Sequence, residues 1–195
     1  ASKDHVRLDA IMEDGTIVEG ESQIPEVHKK IHRVRLFPEH VQPVQSALDA
    51  LKNADAIILG PGSLYTSIMP NLLVDGVAEA IRKSKAIKIY ICNVMSQPPE
   101  TDGYTASMHA KAIIDHAGPG IIDYMIVNDT EISEEMLEYY AEQGATPVEV
   151  DGEAINALGI GYDRADIINE ADVIRHNPEK LSHAVMKLIY EMTGR

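Results

Sequence analysis

Three stretches of this 195-residue chain carry residue types able to hold a ligand's phosphates. The first is Gly60-Pro61-Gly62-Ser63, which follows the apolar run 56–59 and precedes apolar-periodic sequence. Glycines allow unusual backbone dihedrals and close approach of a ligand. Ser63, Thr66 and Ser67 add hydroxyl donors. The free N–H groups of a following helix, at its positive dipole end, suit an anion. The Lys-Ser/Thr ending of a Walker loop is absent, and so is the third glycine of the dinucleotide fingerprint. A tight strand-to-helix turn with a serine cap would use the same residues, and motif shape alone leaves both readings open.

The second stretch, residues 92–104, also lies between a strand-like and a helix-like segment. It crowds Asn93, Ser96, Gln97, Glu100, Thr101 and Asp102 into one loop. Thr101 or Asp102 can cap the helix expected near Tyr104, but a cap explains one residue and not six. Loops that leave successive parallel strands share one end of the sheet, so the two stretches are expected to face one ligand. The third stretch is Ile174-Arg175-His176-Asn177-Pro178. Arg175 suits bidentate pairing with phosphate, and His176 suits a donor or proton carrier. Taken by itself, this stretch reads better as a solvated turn before the last helix.

The other chemistry-bearing residues point elsewhere. His28 and His32 stand four apart, but between Pro25 and a strand-like run they read as surface residues. His109 and His116, and His176 and His183, are seven apart without the carboxylates or cysteines of a metal site, so no metal ligands are expected. Acidic residues 131–138 read as a solvated helix start. No Ser-His-Asp or Cys-His arrangement is legible. Asp102 is the single catalytic candidate, as the carboxylate a metal-assisted transferase would need at the second loop. Cys92, the one cysteine, lies in the apolar run 87–92 and reads as a buried, inert thiol.

Elements must position these loops. Strand-like runs at 6–11 and 16–19, joined through Glu13-Asp14-Gly15, and at 31–37 suggest a β-rich insertion or flap over residues 1–42. From 43 to 195 the pattern alternates. Helices are expected at 43–53, 72–83, 104–116, 134–143 and 178–192, with strands at 57–59, 87–92, 124–127 and 147–150. This predicts an α/β fold, a Rossmann-like parallel sheet with covering helices.

Bulk properties narrow the function classes. A net charge of −14 repels a nucleic-acid backbone and an anionic lipid surface. It does not exclude a small phosphorylated ligand held by backbone N–H groups. No apolar run approaches the roughly 18 residues of a membrane span, and no leader is visible, so membrane insertion is not expected. One free thiol fits a reducing cytoplasm.

The strings GPGSLYTSIMPNLL (60–73), NVMSQPPETDGYTASMHAKAI (93–113) and IRHNPEKL (174–181), in that order, resemble the gluconeogenesis factor (YvcK) family, which groups with CofD-like proteins including 2-phospho-L-lactate transferase. The resemblance implies a Rossmann-like fold in the bacterial cytoplasm. It implies a nucleotide-sugar ligand such as UDP-N-acetylglucosamine, and a regulatory role in cell shape, cell-wall precursor supply and gluconeogenic growth. The transferase branch implies a magnesium-dependent reaction with a nucleotide-activated donor. The family's GGGTG-like and DDGGSSG-like strings do not occur here, so the chain is expected to be the C-terminal part of a longer protein. Pro99 stands where relatives often carry Gly, which stiffens the second loop.

The expectations are therefore specific. Gly60, Pro61, Gly62, Ser63, Thr66, Ser67, Asn93, Gln97 and Thr101 form a ligand cleft, with Arg175 and His176 contributing to it. The first function is a nucleotide-sugar-binding regulator without turnover. The alternatives are a transferase with magnesium, using Asp102, and an NAD(P)-binding protein. The missing third glycine counts against the last. A sheet edge exposed by loss of an N-terminal half favours a homo-oligomer.

Overall fold

The computed structural model describes residues 1–170 and 173–194. Alternating Leu8, Ala10 and Met12 give β1 (Arg7–Met12) one buried face. It pairs antiparallel with β2 (Ile17–Glu19) and β3 (Ile31–Phe37), in the order β2-β1-β3. On this small sheet Arg7 bridges Asp9 at 2.7 Å and Glu19 at 3.1 Å.

The chain then alternates helix and strand. Helix α1 (Gln45–Asn53) leads to β4 (Ala56–Leu59), and a π-helical turn (Leu64–Ile68) leads to α2 (Met69–Leu72) and α3 (Val77–Lys83). Next come β5 (Ile87–Ile91), α4 (Ala106–Ala117), β6 (Tyr124–Asn128), α5 (Glu134–Ala141), α6 (Gly152–Ala157) and β7 (Gly161–Ala165). The antiparallel pair β8 (Ile168–Glu170) and β9 (Ile174–His176) precedes α7 (Pro178–Thr193). Strands β4-β5-β6-β7 lie side by side and all parallel, so the predicted α/β class with a parallel sheet and a β-rich N-terminal part is what the chain forms.

Both faces of the four-stranded sheet are covered, which is why its strands read as apolar runs. Ile57, Leu59, Tyr90, Met125 and Val127 belong to one core cluster. That cluster runs on through Tyr65, Met69 and Ile113 to Leu8, Val34 and Leu36 of the small sheet. On the other face Ile87, Ile89, Ile91 and Ile126 pack with Met136 of α5 and with Ala184 and Leu188 of α7.

Two sequence expectations need correction. The helix expected over 72–83 is broken, because Gly76 takes the left-handed conformation (φ 76°) and α3 starts after it. The strand expected at 147–150 is not in the main sheet. That segment pairs with the loop after β5 through Val148 N–H to the Val94 carbonyl and a bridge between Met95 and Pro147. The fourth parallel strand is instead Gly161–Ala165, where a glycine is required because a Cβ at 161 would run into the Tyr124 ring.

His116 ties the small sheet to α4. Its Nδ1–H donates to the Ala112 carbonyl at 2.7 Å, and Nε2 accepts from the Val34 N–H at 3.1 Å. Burial pushes its pKa below the ordinary 6.5, the hydrogen bond to Ala112 opposing.

Two outcomes follow from this packing. Gly161→Ala should lower stability by about 1–3 kcal/mol, the usual range for overpacking; an unchanged denaturant midpoint would refute the Tyr124 contact. For His116 the unfolded chain takes a proton near pH 6.5 while the folded chain resists it. Stability should therefore be full above pH 6.5 and fall as pH drops, by at most about 1.4 kcal/mol per pH unit from this one group. His116→Gln should make the slope below pH 6.5 shallower in urea titrations, and an identical slope would exclude this role.

Candidate functional site

The first loop leaves β4 at its carboxyl end. Gly60 has φ 90°, and a Cβ there would lie 3.2 Å from the Ile91 carbonyl oxygen and 3.3 Å from Ile68 Cδ1. Gly60 is therefore fixed by backbone packing, and Pro61 follows it in the turn. The Ser63 carbonyl accepts from the N–H groups of both Ser67 and Ile68 at 3.0 Å, closing the π-helical turn. The Ser63 hydroxyl makes no capping hydrogen bond. It accepts instead from Gln97 Nε2 at 3.1 Å. The serine-cap reading of this loop thus fails on geometry.

The second loop leaves β5 at the same end of the sheet. Asn93 Nδ2 donates to Gln97 Oε1 at 2.8 Å, which makes a chain of amides, Asn93 to Gln97 to Ser63, joining the two loops. Thr101 is fully buried, and its hydroxyl accepts from the Gln97 N–H at 2.9 Å. Neither Thr101 nor Asp102 caps α4. That work falls to Thr105, whose side chain accepts from Met108 N–H, while Asp151 accepts from Ser107 N–H at 2.9 Å. Asp151 is held below the usual carboxylate range by the Ser107 and Thr105 hydrogen bonds, which outweigh its desolvation.

The third stretch is a strand, not a turn. Arg175 and His176 lie on β9, with Asn169 opposite Arg175 and Ile168 opposite His176. Asn177 caps α7 by accepting from the N–H groups of Glu179 and Lys180 at 3.0 and 3.1 Å. Burial pushes the His176 pKa down, and a hydrogen bond to the Cys92 backbone partly opposes this. Its Nε2 is buried with no hydrogen-bond partner among the described residues.

These parts meet in one cleft of about 390 Å³, within the usual size range of ligand sites. Gly62, Ser63, Ser67, Asn93, Gln97, Arg175 and His176 line it. Gly60, Pro61, Thr101 and Asp102 do not; Asp102 is exposed. Thr66 faces a different depression, beside Glu21 and Ser22, and its hydroxyl donates to Glu100 at 3.3 Å. Burial lifts the Glu100 carboxyl above the ordinary range, and the Thr66 bond opposes this. The sequence reading missed Tyr140, a lining residue from α5 whose hydroxyl accepts from Ile174 N–H at 3.0 Å. In the sequence it is one of two adjacent tyrosines on an acidic helix, which marks no function. Cys92 is buried and its thiol is pushed up to about 12, chiefly by desolvation, in keeping with an inert role.

A parallel α/β sheet flanked by helices, with a polar cleft at the carboxyl ends of its strands, defines a fold of the Rossmann-like kind. The family model for 2-phospho-L-lactate transferase CofD matches residues 1–168, and the chain belongs to that family. It is 50% identical over 188 residues to the gluconeogenesis factor of Halalkalibacterium halodurans, covering 96% of this chain and 58% of that protein. It is 46% identical over 192 residues to the gluconeogenesis factor of Bacillus subtilis, covering 98% of this chain and 61% of that protein. A crystal structure of a Bacillus halodurans protein superposes with a TM-score of 0.93 at 50% identity, over 95% of this chain and 60% of that one. The chain thus spans about three fifths of the length of these relatives.

An anion in the cleft would reverse the logic at His176, favouring the charged ring. Ligand affinity should therefore rise as pH falls below about 6.5, with proton uptake on binding. Calorimetry in buffers of different ionisation enthalpy reads this directly. Zero uptake across pH 5.5–7 would remove His176 from the contact set.

Proposed function

We propose that the protein binds a nucleotide sugar of the UDP-N-acetylglucosamine type and acts as a cytoplasmic regulator of cell shape, cell-wall precursor supply and gluconeogenic growth. One observation carries the ligand half of this reading. In a chain of net charge −14, the described residues lining the cleft include a guanidinium, an imidazole, a phenol, three serines and two amides, and no carboxylate. Such a lining suits a diphosphate. Arg175, exposed and without a carboxylate partner among the described residues, supplies bidentate pairing. The Ser63–Gln97–Asn93 chain supplies oriented neutral groups. The regulatory half draws on the likeness to gluconeogenesis factors.

Membership of the 2-phospho-L-lactate transferase CofD family favours a second reading, a transferase, for which we infer a nucleotide-activated donor and magnesium. The cleft's described lining offers that ion no carboxylate, and Asp102 lies outside it. The donor set of this chain therefore does not fit a magnesium site at this cleft.

Thermal unfolding of the full-length protein against UDP-N-acetylglucosamine, UDP-glucose, GTP and NAD, each with and without magnesium, tests both readings. A hundredfold excess over the dissociation constant adds about 2.7 kcal/mol of stability. The expected result is a shift with the UDP sugars alone that needs no magnesium and that Arg175→Ala removes. A shift confined to GTP with magnesium would replace the regulator by the transferase, and no shift at all would sink the ligand site.

A further inference from the structure

A second cavity, of about 400 Å³, opens beside the cleft at the ends of β5, β6 and β7. The two share Asn93 and Val94 as lining residues, so they are contiguous. Their chemistry differs. The second holds Asp129 and Glu131, which repel phosphate, and an apolar wall that includes Val94, Val148 and Val150. Arg164 lines it as well, only loosely engaged, at 3.5 Å from Asp129 Oδ1 and 3.4 Å from the Val150 carbonyl.

Two buried oxygens there lack a donor. Asn93 Nδ2 is committed to Gln97 and Asn128 Nδ2 to the Thr130 carbonyl at 2.7 Å, which fixes the orientation of both amides. Each leaves its Oδ1 buried with no hydrogen-bond partner among the described residues. Buried polar atoms are almost always paired, and unpaired ones call for a partner. Carbonyl oxygens accept only, so the partner must bring O–H or N–H groups. Carboxylates at the rim add acceptors, Arg164 adds a donor for ring or hydroxyl oxygens, and the valine wall suits the apolar face of a ring.

We propose that this cavity is the subsite for the uncharged, hydroxyl-bearing ring of the ligand, the glycosyl group of a nucleotide sugar, while the carboxylate-free cleft holds the diphosphate. The assignment rests on the nucleotide-sugar reading above and divides that ligand between two neighbouring cavities by charge. Asn128 and Arg164 are then specificity-determining residues that distinguish a nucleotide sugar from a bare nucleoside diphosphate.

Calorimetric titration of the full-length protein with UDP and with UDP-N-acetylglucosamine tests it, on wild type, Arg164→Ala and Asn128→Leu. The wild type should bind the sugar nucleotide more tightly than UDP. Each variant should lose about fivefold to tenfold for the sugar nucleotide, the worth of one or two hydrogen bonds, while binding UDP as the wild type does. Arg164 is exposed, so Arg164→Ala decides the matter even if Asn128→Leu fails to fold. Equal weakening toward both ligands, no weakening toward either, or a wild type that binds UDP and the sugar nucleotide equally overturns the subsite but leaves the nucleotide site standing. A wild type that binds neither ligand overturns both.

Discussion

Strand β5 is buried along its whole length, and the buried part of the loop that leaves it must satisfy its polar groups within the protein. It does so by pairing with residues 146–149. The Ser96 N–H reaches the Thr146 carbonyl at 2.7 Å, Thr146 N–H reaches Ser96 Oγ at 2.9 Å, and Val148 N–H reaches the Val94 carbonyl at 2.9 Å. Thr101 closes the loop on Gln97 from inside. Five of the six polar residues in the loop therefore divide into two jobs, and Asp102 is exposed. Ser96, Thr101 and Glu100, all buried, hold the loop's shape, while Asn93 and Gln97 are half-buried and join it to Ser63 of the first loop.

The same constraint explains how the N-terminal sheet relates to the site. Tyr65 of the π-helical turn is buried between elements, with its hydroxyl 2.8 Å from that of Tyr104 and its ring edge-on to His116. His116 in turn holds Val34 of β3. The turn that carries Ser63 and Ser67 is thus buttressed by the second loop, by α4 and by the small sheet together. A tightly packed support of this kind transmits small displacements rather than absorbing them.

The architecture was legible because parallel strands buried on both faces leave unmistakable apolar runs at 56–59 and 87–91. β7 was not, because Gly-Tyr-Asp-Arg-Ala is polar and short, and its place in the sheet is set by register against β6 and the stacking of Tyr124 over Gly161. Pro-Val-Glu-Val at 147–150 has the better strand composition, yet the polar loop beside it captures its backbone first. Of the residues singled out in the sequence, Gly62, Ser63, Ser67, Asn93, Gln97, Arg175 and His176 line one cleft, while Gly60 and Pro61 do not. Thr66, Thr101 and Asp102 sit in the same loops but outside the cleft, since sequence shows which loop a residue is in and not which side of it faces the cleft. Tyr140, Asn128 and Arg164 come from segments with no local signal, and only the fold brings them near.

The π-helical turn is the detail that distinguishes this loop from an ordinary helix start. In a normal helix start the first serine spends its hydroxyl on an orphan N–H. Here the wider turn lets one carbonyl, that of Ser63, take the N–H groups of both Ser67 and Ile68. Such turns cost helix regularity and concentrate at functional sites. What this one gains is a serine hydroxyl free of capping duty, held toward the cleft by Gln97, whose own carbonyl is held by Asn93. Each group in that chain is oriented by the next before any ligand arrives, so binding has little side-chain freedom left to remove.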